Sequence, residues 1–418
     1  MIEPLASPTR VVEAGDFTAD LLERIVLYLS GSTDAGVMAI TDPRPFPVRD
    51  AALTELGGRR EVAGHRKLTM LNQVVPDPKT ADIDAMAERA RAEKPGIILG
   101  IGGGSTLDSA KAVAMLTANE GLLDEYLGPN PARTIKSKGP LLVLIPTTAG
   151  TGSEVTRFGV YTARTGRKYT LASPLLRSDA AVLCATLVAD LPQALVASAG
   201  FDALTHALET LWNRNATPLS DALAEEAAVA VLETLLPAWE EAGCRTDDTK
   251  RSAPARAALL AAANKAGIAF DKTGTAAIHA LSFILSEEWH LPHGSACAFF
   301  TDTVYGLNSR HPVVAAKLAR IMHRLGQTTG VSAASTTAEA ADQLGKTIGT
   351  LRERIGLANV FSDLDQASPG GEPHGKAAPD RDATFRRFGS ALTDPKMANN
   401  LVPVGQAELT ALIGPKLA

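Results

Sequence analysis

Residues 96–116 read GIILGIGGGSTLDSAKAVAML. The first six carry no polar side chain, the pattern of a strand covered on both faces of a parallel sheet. Gly102, Gly103, Gly104 and Ser105 then end the strand and open a helix through TLDSAKAVAML (106–116). Glycines at such a turn let backbone N–H groups approach a pyrophosphate, and a helix N-terminus favours its charge. The G-x-G-x-x-G fingerprint is not met: Gly100 and Gly102 fill its first two positions, but Ser105 stands in the third. A tight strand–helix turn with no ligand would read the same way.

Working outward, GVMAIT (36–41) is a buried strand ending at Asp42, KLTML (67–71) a weaker strand, VVPDP (74–78) a turn and LLVLIP (141–146) another buried strand. DLLERIVLYL (20–29) and ADIDAMAERARAEK (81–94) read as helices. This alternation argues an open parallel α/β sheet. TTAGTGS (147–153), after the 141–146 strand, offers hydroxyls and glycines for phosphate or ribose contacts. Asp42 is placed either to bind an adenosine ribose, which favours NAD over NADP by repelling a 2′-phosphate, or simply to turn the chain before Pro43. From about Leu191 the pattern becomes almost all helical, over 193–211, 218–236, 252–269, 275–288, 312–325 and 334–354. The expected organisation is therefore an α/β nucleotide-binding domain over 1–190 and a helical domain over 191–418. The Pro/Gly-rich, charged segment 366–381 reads as a surface loop.

The whole chain narrows the function. With 418 residues there is room for two or three domains. A net charge of −5 gives no basic footprint for nucleic acid. No run approaches the roughly 20 apolar residues of a membrane span, and MIEPLASPTRVVEAGDF lacks the pattern of a signal peptide. The three cysteines, Cys184, Cys244 and Cys297, form no C-x-x-C pair, which suggests neither a disulfide framework nor a thiolate zinc site. Reduced thiols and a cytoplasmic location are expected.

The chemistry is expected in the second half, in AGFDALTHALETLWN (199–213). Asp202 and His206 are four apart on a helix, hence on one face, and make half of a divalent-metal site. Such a pair is also common on a plain helix surface. The other half is sought in TGTAAIHALSFILSEEWHLPHGSA (273–296), where His279 and His293 are fourteen apart. On one straight helix that is roughly 21 Å, whereas metal–donor bonds are about 2.0–2.2 Å. The two meet only if the chain turns between them, and Pro292 supplies a break suited to the first turn of a new helix. The expected site is Asp202, His206, His279 and His293. His290 is a further candidate beside it, or a surface residue next to Trp289. Zinc and iron both suit such a His-rich set.

With these residues in view, the chain resembles the iron-containing, group III alcohol dehydrogenases. The resemblance rests on GIGGGSTLDSAKA, VVPDP, IPTTAGTGSEVT, GFDALTHALE and AGIAFDKTGTAAIHALSF…LPHG, in order along nearly the whole chain. It implies a dinucleotide-binding α/β domain, a helical domain, and a divalent metal, usually iron, on Asp202, His206, His279 and His293. It also implies NAD(P) contacts at Asp42, Gly102, Gly103, Ser105, Asp108, Thr147, Thr148, Thr151, Ser153 and Lys168, with Asp77 where many members have Asn, and a homodimer. Many members carry a His four residues after the third metal ligand, often proposed in proton transfer; here Phe283 stands there. The expected proton route is a water chain aided by the cofactor ribose or His290.

Within the family, ETLWNRNATPLS (209–220), RKYTLASP (167–174) and HALSF (279–283) resemble phosphonoacetaldehyde reductases. That implies reduction of phosphonoacetaldehyde to 2-hydroxyethylphosphonate, with Arg157 and Lys272 as candidate partners of the dianionic group, or else a solvated Arg and a structural Lys. Competing readings are a maleylacetate reductase-like or other small-aldehyde dehydrogenase, and a dehydroquinate synthase-like cyclase that consumes no net NADH.

Overall fold

The computed structural model of the chain describes residues 9–244, 253–289, 291–330, 334–357 and 381–417. They form two compact units. One holds the described residues of Met1–Leu191 and Arg245–Asn264; the other holds those of Pro192–Cys244 and Lys265–Ala418. The stretch ending at Asn264 joins the first unit although it is distant in sequence, and Asn264 Nδ2 donates to the buried Glu154 carboxylate at 2.8 Å.

The first unit is built on a six-stranded, all-parallel sheet of β1 (Arg10–Ala14), β2 (Val37–Thr41), β3 (Leu68–Leu71), β4 (Ile97–Gly102), β5 (Leu141–Pro146) and β8 (Ala180–Cys184), in the order β1-β8-β5-β4-β2-β3. Strands β2, β4 and β8 are buried along their whole length. Alternate residues feed opposite cores: Ile97, Leu99 and Ile101 pack with Leu22, Leu53 and Leu56, while Ile98 packs with Ile83, Met86 and Leu107. Both faces are covered, as the apolar runs require. A separate antiparallel hairpin pairs β6 (Phe158–Thr162) with β7 (Lys168–Ala172).

The sequence reading passes over β1, β6, β7, β8 and the helix Pro47–Val62. β1 is an edge strand, and its RVVEA is mostly exposed, so it carries no buried run to read. The hairpin is half-buried, and although β6 alternates in burial, its FGVYT and the KYTLA of β7 show no regular alternation of polar and apolar side chains.

Between β2 and β4 the connections diverge. β2 leads to β3 on one side, and β4 leads to β5 on the other. This is the topological switch point at which open α/β sheets bind ligands, beyond the carboxyl ends of the strands. Asp42 follows β2, and Gly102, the last residue of β4, leads into Gly103–Ser105, so both stand at the carboxyl ends of their strands.

The second unit is helical. It includes Gln193–Leu211, Pro218–Gly243, Ala277–Trp289, His293–Asn308, Pro312–Thr329 and Thr337–Arg354. The break at Pro292 is present: Pro292 precedes a helix that starts at His293 and runs to Asn308, a length the sequence reading left out. Most of the 366–381 loop lies outside the described residues; Arg381 opens the helix Arg381–Ala391. Among the described residues no helix is long and apolar enough to cross a membrane.

Candidate metal centre and nucleotide loops

In the helical unit, Asp202 sits near the middle of the Gln193–Leu211 helix and is buried, as are His206 and His279. Its Oδ1 lies 3.8 Å from His206 Nε2, 3.3 Å from His279 Nε2 and 3.7 Å from His293 Nε2. The structure thus brings together all four side chains expected from the sequence. His206 is held flat between two rings, Phe270 at 4.1 Å and His279 at 4.5 Å between centroids.

A fifth group joins them. Cys297, one helical turn beyond His293, places Sγ 3.8 Å from His293 Nε2 and 3.9 Å from Asp202 Oδ1. One donor atom each from Asp202, His279, His293 and Cys297 lies within 4.8 Å of the others. The sequence reading missed it by looking for Cys–Cys spacing; the available signal was the i, i+4 step from His293, the same step as Asp202 to His206.

The residues fit a divalent ion. Bonds of about 2.0–2.1 Å at tetrahedral angles put neighbouring nitrogen or oxygen donors about 3.3 Å apart, close to the separations around Asp202. His279 Nε2 is buried, has no hydrogen-bond partner, and faces this point. Its other nitrogen explains the orientation. Nδ1 lies 2.7 Å from Glu209 Oε2, so Nδ1 carries the proton and donates, leaving the Nε2 lone pair free.

Glu209 is fully buried and also accepts from the backbone N–H of Ala276 at 2.7 Å and of Ile278 at 2.5 Å. It thereby satisfies amides at the start of the Ala277–Trp289 helix that have no partner within the helix. Glu209 was also legible as position i+7 from Asp202, on the same helical stripe.

The electrostatics are those of a cation site. Burial pushes Asp202 upward, but His206, His293 and His279 outweigh it and hold the carboxyl well below the ordinary range. Burial likewise raises the Cys297 thiol, and His293 and His279 pull it below its usual value.

Close packing sets the spacing. A Cβ on Gly294 would lie 1.8 Å from the Ser198 carbonyl oxygen, so only glycine lets the His293–Asn308 helix start against the Gln193–Leu211 helix. Phe283 stands beside the cluster, its ring 5.6 Å from that of His293. The ammonium of Lys396 lies 4.2 Å from the Phe283 ring centroid and 3.5 Å from Asp394. Burial draws Lys396 below its ordinary pKa, with Asp394 opposing. Lys396 was not singled out from the sequence. Of the two cations that were, Arg157 lies in the first unit over the Phe158 ring at 5.0 Å, and Lys272 is half-buried in the last turn of the Pro254–Thr273 helix. His290 falls outside the described residues.

In the α/β unit the two glycine-bearing loops meet. Thr147 N–H donates to Gly102 carbonyl at 3.0 Å, and positions 103 and 104 lie against Thr148 and Thr151. A Cβ on Gly102 would sit 2.4 Å from Thr106 Oγ1, so glycine admits the helix Gly104–Ala118 this close to its strand. Gly103 caps that helix without a side-chain bond, leaving N-terminal amides for an anion. Ser105 opens the same helix, and its carbonyl accepts from Ser109 Oγ at 2.8 Å.

Asp108 braces the loops from within. Its oxygens accept from Ser153 Oγ at 2.6 Å and Val160 N–H at 2.9 Å, and Lys111 Nζ donates to Ser153 Oγ at 2.8 Å. Asp77 has φ 58°, a left-handed conformation in which Asn and Asp are enriched. Its Oδ1 takes Lys168 Nζ at 2.6 Å, joining the 74–78 turn to the hairpin. Asp42 turns the chain: Oδ1 accepts from Arg44 N–H at 3.1 Å, and Oδ2 lies 3.3 Å from the Arg49 guanidinium.

Comparisons with known proteins agree with this architecture. Residues 18–184 match the family model described as iron-containing alcohol dehydrogenase, and residues 196–375 match its C-terminal counterpart. Sulfoacetaldehyde reductase of Bilophila wadsworthia is 31% identical over 351 residues, covering 81% of this chain and 87% of that one. The 1-propanol dehydrogenase PduQ of Salmonella typhimurium is 33% identical over 269 residues, covering 64% and 66%. Among solved structures, sulfoacetaldehyde reductase from Bifidobacterium kashiwanohense in complex with NAD+ superposes with a TM-score of 0.78 at 23% identity, covering 100% of this chain and 99% of that one. A 1,3-propanediol oxidoreductase gives 0.80 at 24%, covering 99% and 100%. These two show the shared fold.

Proposed function

This chain belongs to the iron-containing alcohol dehydrogenase family, and we propose that it reduces a small aldehyde bearing an anionic group to the primary alcohol, with NAD(P)H as hydride donor. The enzyme is an oxidoreductase, so the cyclase reading is set aside. When bound, a divalent ion supplies Lewis-acid polarisation of a carbonyl oxygen, and the nicotinamide supplies the hydride.

The protein's own groups do the rest. Asp202, His206, His279 and His293 hold the ion, Fe2+ by family and Zn2+ as the alternative. Glu209 keeps the His279 proton on Nδ1. Phe283 gives the site an apolar wall and supplies no proton, so the product hydroxyl would draw its proton from water. The pyrophosphate is assigned to the N-terminal amides at Gly102–Ser105, with Thr147, Thr148, Thr151 and Ser153 beside it. Asp77 and Lys168 are assigned to the cofactor as a pair. Asp42 is assigned to the adenosine ribose, which favours NADH.

The observation that carries the substrate class is Lys396, linked to the donor cluster through the Phe283 ring. A half-buried ammonium beside the Phe283 ring suits an aldehyde with an oxyanion at its other end. Our lead substrate is phosphonoacetaldehyde, giving 2-hydroxyethylphosphonate. Sulfoacetaldehyde, named in the relative at 31% identity, has the same two-carbon frame and is the second reading.

The test is NADH and NADPH consumption by metal-loaded enzyme on phosphonoacetaldehyde, sulfoacetaldehyde, maleylacetate, succinic semialdehyde, lactaldehyde and butanal. A preference of at least about 100-fold in kcat/KM for one oxyanion aldehyde over butanal, roughly 2.7 kcal/mol, is expected. Equal rates on butanal would discard the anionic substrate.

A further inference from the structure

We infer that Cys297 binds the divalent ion as a thiolate, making the centre a mixed carboxylate, imidazole and thiolate site. The inference rests on the metal-site reading above and adds a donor to it.

Three observations carry it. First, Cys297 is fully buried, and its sulfur faces polar atoms: His293 Nε2 at 3.8 Å and Asp202 Oδ1 at 3.9 Å. Second, the separations have the size of a coordination polyhedron. A sulfur at about 2.3 Å and a nitrogen at about 2.0–2.1 Å from one ion lie about 3.1 Å apart at a right angle and about 3.8 Å apart at 120°, the angles that a shell of five donors offers. The distances here, 3.8 and 3.9 Å, stand at the long end of that span, so a small inward movement of the donors would complete the shell. Third, His279 Nε2 is an independent marker of where the ion sits. It is buried and makes no hydrogen bond, and its atom belongs to the same group of four donors within 4.8 Å as Cys297 Sγ.

The rival role for Cys297 is a weak S–H donor to Asp202. In that role the thiol keeps its proton. As a ligand it gives up that proton to solvent, and a sulfur–metal bond forms with no change in oxidation state. Two negative donors, Asp202 and Cys297, then balance the charge of a divalent ion. That makes the ion a weaker Lewis acid than three imidazoles and one carboxylate would, and it favours softer metals such as zinc.

Cobalt(II) separates the two roles. Full-length protein is loaded with Co2+ under anaerobic conditions, and its absorption is recorded from the near ultraviolet through the visible. Expected for wild type is a thiolate-to-cobalt charge-transfer band in the near ultraviolet beside the visible ligand-field bands. In Cys297→Ser, which keeps a hydroxyl donor to Asp202, the charge-transfer band is lost while the visible bands persist, and zinc affinity falls at least about tenfold.

Visible bands without the charge-transfer band in wild type would overturn the thiolate and leave the metal centre standing. A band that survives in Cys297→Ser would overturn it too, by placing the sulfur elsewhere. No cobalt uptake at all would overturn both. The wild-type spectrum alone decides the matter should Cys297→Ser not fold, and Cys297→Ala repeats the comparison with no hydroxyl.

Discussion

Replacing Glu209 tests whether a carboxylate outside the donor set governs metal affinity. Its Oε2 accepts from His279 Nδ1 and Ala276 N–H, each at 2.7 Å, and its Oε1 accepts from Ile278 N–H at 2.5 Å. Glutamine keeps the shape but turns one oxygen into a donor. The less costly orientation places the amide nitrogen toward Ile278, giving up one bond instead of two. His279 then keeps an acceptor, now neutral, and Nε2 still faces the ion.

The stranded Ile278 N–H costs about 1–3 kcal/mol of stability. Loss of the charge behind His279 puts Glu209→Gln at the low end of the 10–100-fold range for such orienting groups, about tenfold in metal affinity. Glu209→Ala strands all three donors and frees the ring to rotate, so about 100-fold is expected, or about 2.7 kcal/mol.

The assay is competition with a chromophoric chelator, run beside thermal melts of metal-free and metal-loaded protein. The upward shift in Tm on loading should shrink in the order wild type, Glu209→Gln, Glu209→Ala. Metal affinities within about twofold of each other across all three proteins would refute the reasoning, whatever the melts show.

Other perturbations follow from the same geometry. His279→Ala should remove stoichiometric metal and activity together, as metal analysis of the purified variant would reveal; full metal content would remove His279 from the ligand set. Lys396→Met should raise KM for the preferred oxyanion aldehyde by about 10–100-fold, the worth of a charged hydrogen bond, and leave butanal kinetics unchanged. An equal effect on both would assign Lys396 to structure. Gly294→Ala should destabilise the chain by at least about 1–3 kcal/mol through overpacking and weaken metal uptake, because the new Cβ meets the Ser198 carbonyl at 1.8 Å. An unchanged Tm with full metal uptake would contradict that account.

What the sequence showed and what it hid divide along physical lines. Strands β2, β4 and β5 were plain because full burial in a parallel sheet forces uninterrupted apolar runs. Asp202 and His206 were plain because one helix fixes their spacing, and His279 and His293 followed once Pro292 was given the role of a break. Glu209 and Cys297 obey the same helical steps but went unread: Glu209 acts through His279 on another helix, and Cys297 has no second cysteine at a metal-ligand spacing. Lys396 had no local signal. It reaches Phe283 from more than a hundred residues away, and only tertiary packing reveals the pair. The bracing of Asp108 by Ser153 and Val160 is hidden for the same reason.

Asp202, His206 and Glu209 share one uninterrupted helix, and this makes the centre unequal in its tolerance of change over time. Inserting a single residue between Asp202 and Glu209 would swing everything after it by about 100° around the helix axis. It would carry the orienting carboxylate off the face where His279 waits. The connection between the helices bearing His279 and His293 is a different matter: a residue gained or lost there can be absorbed by the turn at Pro292. Descendants of this chain should therefore vary in the length of their connectors long before they vary in the seven-residue interval from Asp202 to Glu209.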